Sequence, residues 1–315
     1  MLEVLDQARL LVVTGKGGTG KTTVAAALAL ALAGDGRRTL LAEVEGRQGI
    51  AQLFDLAPLP YEERLIARVP GGGEVRGLAV DAEQALLEYL EMFYKLGLAG
   101  RALQKMGAVD FATAIAPGLR DVLLTGKVKE AVTRTADGRR AYDAVVLDAP
   151  PTGRIGRFLN VTAETARLAK IGPIKTQSEG VAAILRSPMT AIHLVTLLEE
   201  MPVQETADAL DELSRLGLPV GTVIINATRA ARLVGVRITQ AEVRKGLAAA
   251  GLQVDRDTLA GLTTEARAYQ TRVGAESRLR TELAALGPRM IELPALLDGV
   301  TRAGLDDLAT RLLTG

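Results

Sequence analysis

Leu10-Leu11-Val12-Val13-Thr14-Gly15-Lys16-Gly17-Gly18-Thr19-Gly20-Lys21-Thr22-Thr23 is a short apolar run broken by glycines and reopened by a lysine and two threonines. The run from Leu10 to Val13 reads as a buried strand, halted by Gly15. Beyond the loop, Thr22 to Ala33 is rich in alanine and leucine and reads as a helix that ends in the turn Gly34-Asp35-Gly36. Between a strand and a helix, Gly15 to Thr22 matches the glycine-rich phosphate loop, in which successive backbone N–H groups turn inward around phosphate oxygens. The helix N-terminus adds its positive dipole end. In that geometry Lys21 reaches the β and γ phosphates and the Thr22 hydroxyl joins a Mg²⁺ shell made mainly of water and phosphate oxygens, so Gly15, Lys16, Gly17, Gly18, Thr19, Gly20, Lys21, Thr22 and Thr23 form the expected nucleotide site.

Outward from the loop, Thr39 to Val44 closes a first βαβ unit, and further strands are expected at Gly77 to Val80, Ala144 to Leu147, Ala191 to Thr196, Val220 to Ile225 and Met290 to Leu293. Segments of helical periodicity separate them. That alternation predicts an α/β fold with a doubly wound, mostly parallel sheet, formed as a single domain over residues 1–315. Two stretches, 82–136 and 155–188, are too long for simple crossovers and predict a helical insertion subdomain. Asp148 ends one apolar run, and a carboxylate at the C-terminal end of a strand beside the loop strand is placed to hold a Mg²⁺-bound water.

Composition narrows the functions. With 38 Lys and Arg against 37 Asp and Glu, the net charge of +1 gives no global pull toward nucleic acid or an anionic membrane. The local cluster Arg134, Arg139 and Arg140 reads as a solvated loop. The absence of cysteine excludes disulfides, thiolate-held zinc, iron-sulfur clusters and thiol nucleophiles. No signal peptide or membrane-spanning run is expected, hence no stable membrane anchor, and the expected location is cytoplasmic. His193, the sole histidine, reads as a strand residue rather than a catalyst.

Lys16, directly after the first glycine of the loop, resembles the signature lysine of the deviant Walker A ATPases, which include the ParA/MinD partition ATPases, the nitrogenase iron proteins and the ArsA-type ATPases. The resemblance implies a lysine that crosses a dimer interface to the opposing phosphates, and therefore a nucleotide-dependent dimer. The string Asp148-Ala149-Pro150-Pro151-Thr152-Gly153-Arg154, followed by Arg157-Phe158-Leu159, resembles switch II of the ArsA family, whose eukaryotic branch delivers tail-anchored membrane proteins. Pro117-Gly118 and the helix through Leu123 and Val128 resemble that family's helical client region. Asn226 falls where the family places its adenine-reading asparagine, and Pro294 matches the later adenine loop. Glu43 to Gly49 and Pro117 to Val128 look most like the A-type member of the paired Get-like ATPases of actinobacteria.

The resemblance implies an enzyme, a Mg-ATP-binding and hydrolysing switch that uses ATP/ADP and Mg²⁺. Its catalytic residues are Lys16, Lys21, Glu45 and Asp148, and Asp148 reaches the metal through water. The sequence departs from the family in three places. Glu45 stands where switch I begins with an aspartate, which moves the water-orienting carboxylate by one methylene and predicts slow hydrolysis. Ala227 follows Asn226 where the family often has glutamine. The thiolates that bind arsenite, and the pair that zips a dimer around zinc, are missing, so no zinc or iron-sulfur cluster is expected.

Three functions follow as expectations. The first is an ArsA/Get-type switch whose nucleotide state opens an apolar helical groove to a hydrophobic protein client or partner. It would act as a homodimer or a heteromer with a paralogous ATPase, and it would take no nucleic acid. Candidate groove residues are Leu90, Met92, Phe93, Leu96, Leu98, Met106, Phe111, Leu119, Leu123 and Leu124, for which an ordinary helical core is the plain alternative. The second is a ParA/MinD-like positioning ATPase, and the third a weakly hydrolytic nucleotide-bound scaffold regulating transport.

Overall fold

The computed structural model describes residues 8–94, 118–160 and 173–314. Its centre is an eight-stranded sheet. The strands are β1 (Leu10–Gly15), β2 (Arg38–Glu43), β3 (Arg64–Arg68), β4 (Glu74–Ala79), β7 (Ala144–Asp148), β8 (Thr190–Thr196), β9 (Val220–Thr228) and β10 (Arg289–Pro294), in the order β10-β9-β8-β1-β7-β2-β4-β3. Every neighbouring pair is parallel except β3 with β4. A separate ribbon pairs β5 (Thr135–Ala136) with β6 (Arg139–Arg140). Strands wound outward in both directions from β1 and β7 make this the expected doubly wound α/β sheet.

The alternation of β1 decides its two faces. Leu11 and Val13 pack toward α1 (Lys21–Leu32) and the C-terminal α10 (Arg302–Thr314), whose Leu305, Leu308 and Leu312 are buried. Leu10 and Val12 pack the other way, against α4 (Leu119–Thr133), α5 (Thr152–Leu159), α6 (Pro173–Leu185) and α7 (Glu200–Arg215). A strand buried on both faces reads as an unbroken apolar run, which is how β1 appears in the sequence. In α1 every residue from Val24 to Leu32 is buried, so this helix is covered by the sheet on one side and by α10 on the other. Phe158 and Ile155 of α5 are also buried, and truncating Phe158 to alanine would cost about 3–5 kcal/mol.

The sequence reading missed the antiparallel edge strand β3. Its residues Arg64-Leu65-Ile66-Ala67-Arg68 are largely exposed, and Gly71 and Gly72, both at φ +88°, form the turn that returns the chain to β4. Of the expected helical insertion, α3 (Ala82–Tyr94), α4, α5 and α6 are described. Leu96, Leu98, Met106 and Phe111 lie outside the described residues, as do the side chains of Met92 and Phe93. Leu123 and Leu124 are buried, and Leu90 and Leu119 pack part-buried beside Ala85, Leu86 and Tyr89. Arg139 and Arg140 are exposed, but Arg134 is ion-paired to Glu63 at 2.5 Å and lies over the Tyr142 ring, so this member of the basic cluster is a packed side chain.

After β9 the chain forms α8 (Gln240–Ala249), none of whose residues is buried, and the thirty-residue α9 (Arg256–Ala285). The loop between β9 and α8 is strapped along α9 by polar bonds: the Gln270 amide donates to the Leu233 and Val236 carbonyls at 2.8 and 2.6 Å, and Arg267 donates to the Ile238 carbonyl at 3.1 Å. Among the described residues no helix is long and apolar enough to cross a membrane.

Candidate functional site

The loop from Gly15 to Gly20 joins the C-terminal end of β1 to α1 and needs glycine where its backbone turns. Gly18 and Gly20 adopt φ of +89° and +86°, and a β-carbon on Gly20 would collide with the Asn226 amide. Gly17 and Gly18 face open space, leaving the mouth of the loop clear. Buried Thr19 fixes the turn from inside, its hydroxyl donating to the Lys16 carbonyl at 2.9 Å. Lys21 Nζ reaches back to the same carbonyl at 3.4 Å. Burial lowers the Lys21 pKa from its ordinary value, while Asp148 and Glu45 favour its charged form.

Opposite the loop, β7 delivers Asp148 beside α1, and Thr22 donates its hydroxyl to Asp148 Oδ2 at 2.7 Å. The other oxygen, Oδ1, is buried with no hydrogen-bond partner among the described residues. Burial pushes the Asp148 carboxyl up to about 6, against the Thr22 bond and the Lys21 charge, while Glu43 and Glu45 push the same way as burial. Lys21, Thr22, Glu43, Glu45, Arg47, Gly49, Asp148 and Ala149 line a cleft of about 340 Å³. Thr23 lies half-buried in the first turn of α1.

Glu45 enters this cleft from the loop after β2. Its carboxylate lies 3.5 Å from Arg154 and 3.6 Å from Arg47, two loose contacts to exposed guanidinium groups. Arg154 also approaches Asp121 of α4 at 4.0 Å, which brings the segment after β7, the loop after β2 and the helical region to one place.

Lys16 is turned away from the cleft. Its Nζ pairs with Glu205 Oε1 of α7 at 2.9 Å, and Glu205 Oε2 accepts the Thr152 hydroxyl at 3.0 Å. The Lys16 hydrogen bond is the main reason the Glu205 carboxyl sits below its ordinary pKa. Thr14, at the end of β1, donates to the Pro150 carbonyl at 2.7 Å, a second tie between the phosphate loop and the segment after β7.

Asn226 and Pro294 come together at the far side of the loop. The Asn226 amide donates to the Thr19 carbonyl at 2.9 Å, and Pro294 pairs in register with Thr228, two residues beyond Asn226. Asn226 opens onto a cleft of about 740 Å³ that also involves Leu198, Ala227, Arg229, Arg272 and Glu276. Ala227 holds φ +54°, left-handed for a residue with a β-carbon.

This donor set fits a nucleotide phosphate and a hydrated divalent cation: a loop open to its ligand, a partly desolvated ammonium, and a carboxylate oxygen left over beside a hydroxyl. Among the described residues no group of three His, Cys, Asp or Glu could hold a metal on its own, so a cation here would depend on oxygens of the nucleotide and water. Sequence reasoning gave no role of their own to Glu205, Glu43 or Thr14. Thr152 and Arg154 lay within a recognised string, but Glu205 sits 189 residues from Lys16 on an ordinary acidic helix with nothing to single it out.

Comparison with known proteins gives the family. Residues 8–182 match the family model described as anion-transporting ATPase. The chain is 54% identical over 317 residues to ATPase BagA of Mycobacterium tuberculosis, covering 98% of this chain and 93% of that protein. It is 27% identical to an arsenical pump-driving ATPase of Escherichia coli over 79% of this chain and 43% of that one. It is 24% identical to ATPase GET3 of Kluyveromyces lactis over 69% of this chain and 71% of that protein.

Proposed function

The chain belongs to the ArsA family of anion-transporting ATPases, and from this we infer that it is a Mg-ATP-dependent switch whose nucleotide state is coupled to its helical region. Residues 1–315 act as one ATPase domain, with the helical part drawn from 82–136 and 155–188. The observation that carries the reading is the Thr22–Asp148 pair at 2.7 Å with Asp148 Oδ1 left over, set directly across from Lys21.

The loop amides and Lys21 hold the phosphates of ATP or ADP, Thr22 holds Mg²⁺, and Asp148 holds a water of its shell. Bound Mg²⁺ supplies charge neutralisation at the transferring phosphoryl group. Glu45 orients the attacking water, and Lys16, released from Glu205, reaches the phosphates of a second subunit. Asn226, beside the phosphate loop, and Pro294 bracket the base. The second subunit is a copy of this chain or a paralogous ATPase, and the protein client is hydrophobic.

Measuring ATP binding and hydrolysis by the wild type and by Lys21→Ala tests the reading. The expected result is Mg-dependent binding and slow turnover in the wild type, with both lost in the variant. Equal retention of ATP by both proteins would count against the site.

A second reading, a weakly hydrolytic scaffold, is favoured by one observation: the Glu45 carboxylate lies within 3.6 Å of the Arg47 and Arg154 guanidinium groups, which compete with water for it. Comparing Glu45→Asp with wild type separates the two. A hydrolytic switch keeps or gains rate, while a scaffold shows turnover in neither form.

A further inference from the structure

We propose that Glu43, the last residue of β2, is the positioning residue of this site, a buried staple that sets the loop carrying Glu45. Its side chain is only 4% exposed, and its backbone lies in register with Asp148 on the neighbouring strand. A carboxylate buried in a cleft that already holds two others is tolerated only if its oxygens are well hydrogen-bonded.

Both oxygens are so engaged. Glu43 Oε1 accepts the Gln48 backbone N–H at 2.8 Å, and Oε2 accepts the Ile50 backbone N–H at 3.1 Å. These donors lie at the entry to the short helix α2 (Gly49–Leu53), where backbone N–H groups have no partner within the helix. Bonds from N–H to an ionised carboxylate are among the stronger ones in a protein. The intervening residues Val44 to Arg47 therefore form a closed loop, pinned at both ends by one side chain, with Glu45 within it.

The backbone at the end of this closure is one that a free chain avoids. Gln48 holds φ +56° despite its β-carbon, whereas Gly46 holds φ +68°, which glycine adopts without strain. Gln48 is gripped from the other side as well: its amide donates to the Leu59 carbonyl at 3.1 Å and accepts the Leu59 N–H at 2.7 Å. Two independent clamps on one strained residue fix where the loop stands. Only 4% exposed and with each oxygen bonded to a backbone N–H, the Glu43 carboxylate is held in place rather than free to swing onto a water. Glu45, held by loose contacts to two exposed arginines, keeps that freedom.

The catalytic half of this proposal rests on the reading that Glu45 acts on water, and the experiment keeps the two apart. Backbone hydrogen exchange of the nucleotide-free wild type is expected to show the Gln48 and Ile50 amides protected at least tenfold more than Gly46 and Arg47. Glu43→Gln, which turns one acceptor into a donor facing an N–H, is expected to remove that protection. It should also lower kcat about 10-fold to 100-fold, with KM changed less than about threefold because Lys21 and the glycine loop are untouched.

Glu43→Asp keeps the charge but falls one methylene short of spanning both amides, so it should lose kcat as well; a wild-type rate in Glu43→Asp would reduce Glu43 to a mere charge and overturn the proposal. Unprotected Gln48 and Ile50 amides in the wild type overturn the staple without need of any variant. Fast exchange in Glu43→Gln at unchanged kcat, with Glu45→Gln inactive, overturns positioning and leaves the water-orienting reading intact. If Glu45→Gln hydrolyses normally, that reading fails by itself, the claim that Glu43 positions a catalytic group falls with it, and the exchange data still decide the staple.

Discussion

Lys16 Nζ lies 2.9 Å from Glu205 Oε1, so the lysine expected to act across a dimer is parked on a helix of its own chain. Both side chains are about one-third exposed, and a pair in such a setting contributes less than about 1 kcal/mol. The contact is strong enough to choose a rotamer and weak enough to exchange. Glu205→Gln should therefore change the unfolding free energy by less than about 1 kcal/mol. The same substitution should tighten nucleotide-dependent self-association by up to about fivefold, read by sedimentation velocity with a nonhydrolysable ATP analogue.

Replacing Lys16 itself separates binding from chemistry. Lys16→Ala should lower kcat by about 10²-fold or more while ATP affinity, measured by titration calorimetry, changes less than about threefold. An equal loss of both would place Lys16 on the phosphates of its own chain.

Asp148→Asn should move stability and activity in opposite directions. The Asp148 carboxyl is pushed up to about 6 from 3.8, so the nucleotide-free fold carries a penalty that is absent below about pH 4 and grows as pH rises through 6. The amide removes that charge. At pH 7.5, without nucleotide, the variant should gain on the order of 1–3 kcal/mol by urea unfolding and lose most of its Mg-dependent hydrolysis.

His193 should make the fold acid-sensitive in the opposite sense. It is fully buried in β8, its Nδ1 accepts the Thr222 N–H at 3.1 Å, and burial lowers its pKa to about 4 from 6.5. The native state therefore binds fewer protons than the unfolded chain between those values, and stability present above pH 6.5 is lost as pH falls toward 4. The wild type should lose about 2 kcal/mol more than His193→Gln between pH 7.5 and pH 5. Matching urea profiles for the two proteins would contradict this.

The parts of this protein that were legible in sequence are those whose chemistry is local. The phosphate loop, the strand that delivers Asp148 and the alternation of strands and helices are written in consecutive residues, because glycine conformation and apolar periodicity act over a few positions. The edge strand β3 was hidden because Arg64-Leu65-Ile66-Ala67-Arg68 is largely exposed and flanked by arginines, as a protected sheet edge is. Glu43 was read only as part of a string with Glu45. Two carboxylates one residue apart look alike until the fold shows that one turns into backbone donors and the other toward solvent-facing arginines. Glu205 could not be read at all, since its meaning comes from Lys16 and Thr152, which approach it only after α7 packs beside α5.

Helix α9 runs for thirty residues, about 45 Å, and is buried only near its ends, at Leu259 and Thr263 and again at Leu279 and Leu283. Its later part is fixed to the body of the protein by Arg280, which grips Glu292 of β10 through two bonds, while Arg272 and Glu276 line the cleft beside Asn226. A rod anchored there has the geometry of a lever. A tilt of about 10° around Leu283 would carry Leu259 through about 6 Å, so a small adjustment at the cleft beside Asn226 would be magnified at the far tip, where α8 and its exposed loop stand.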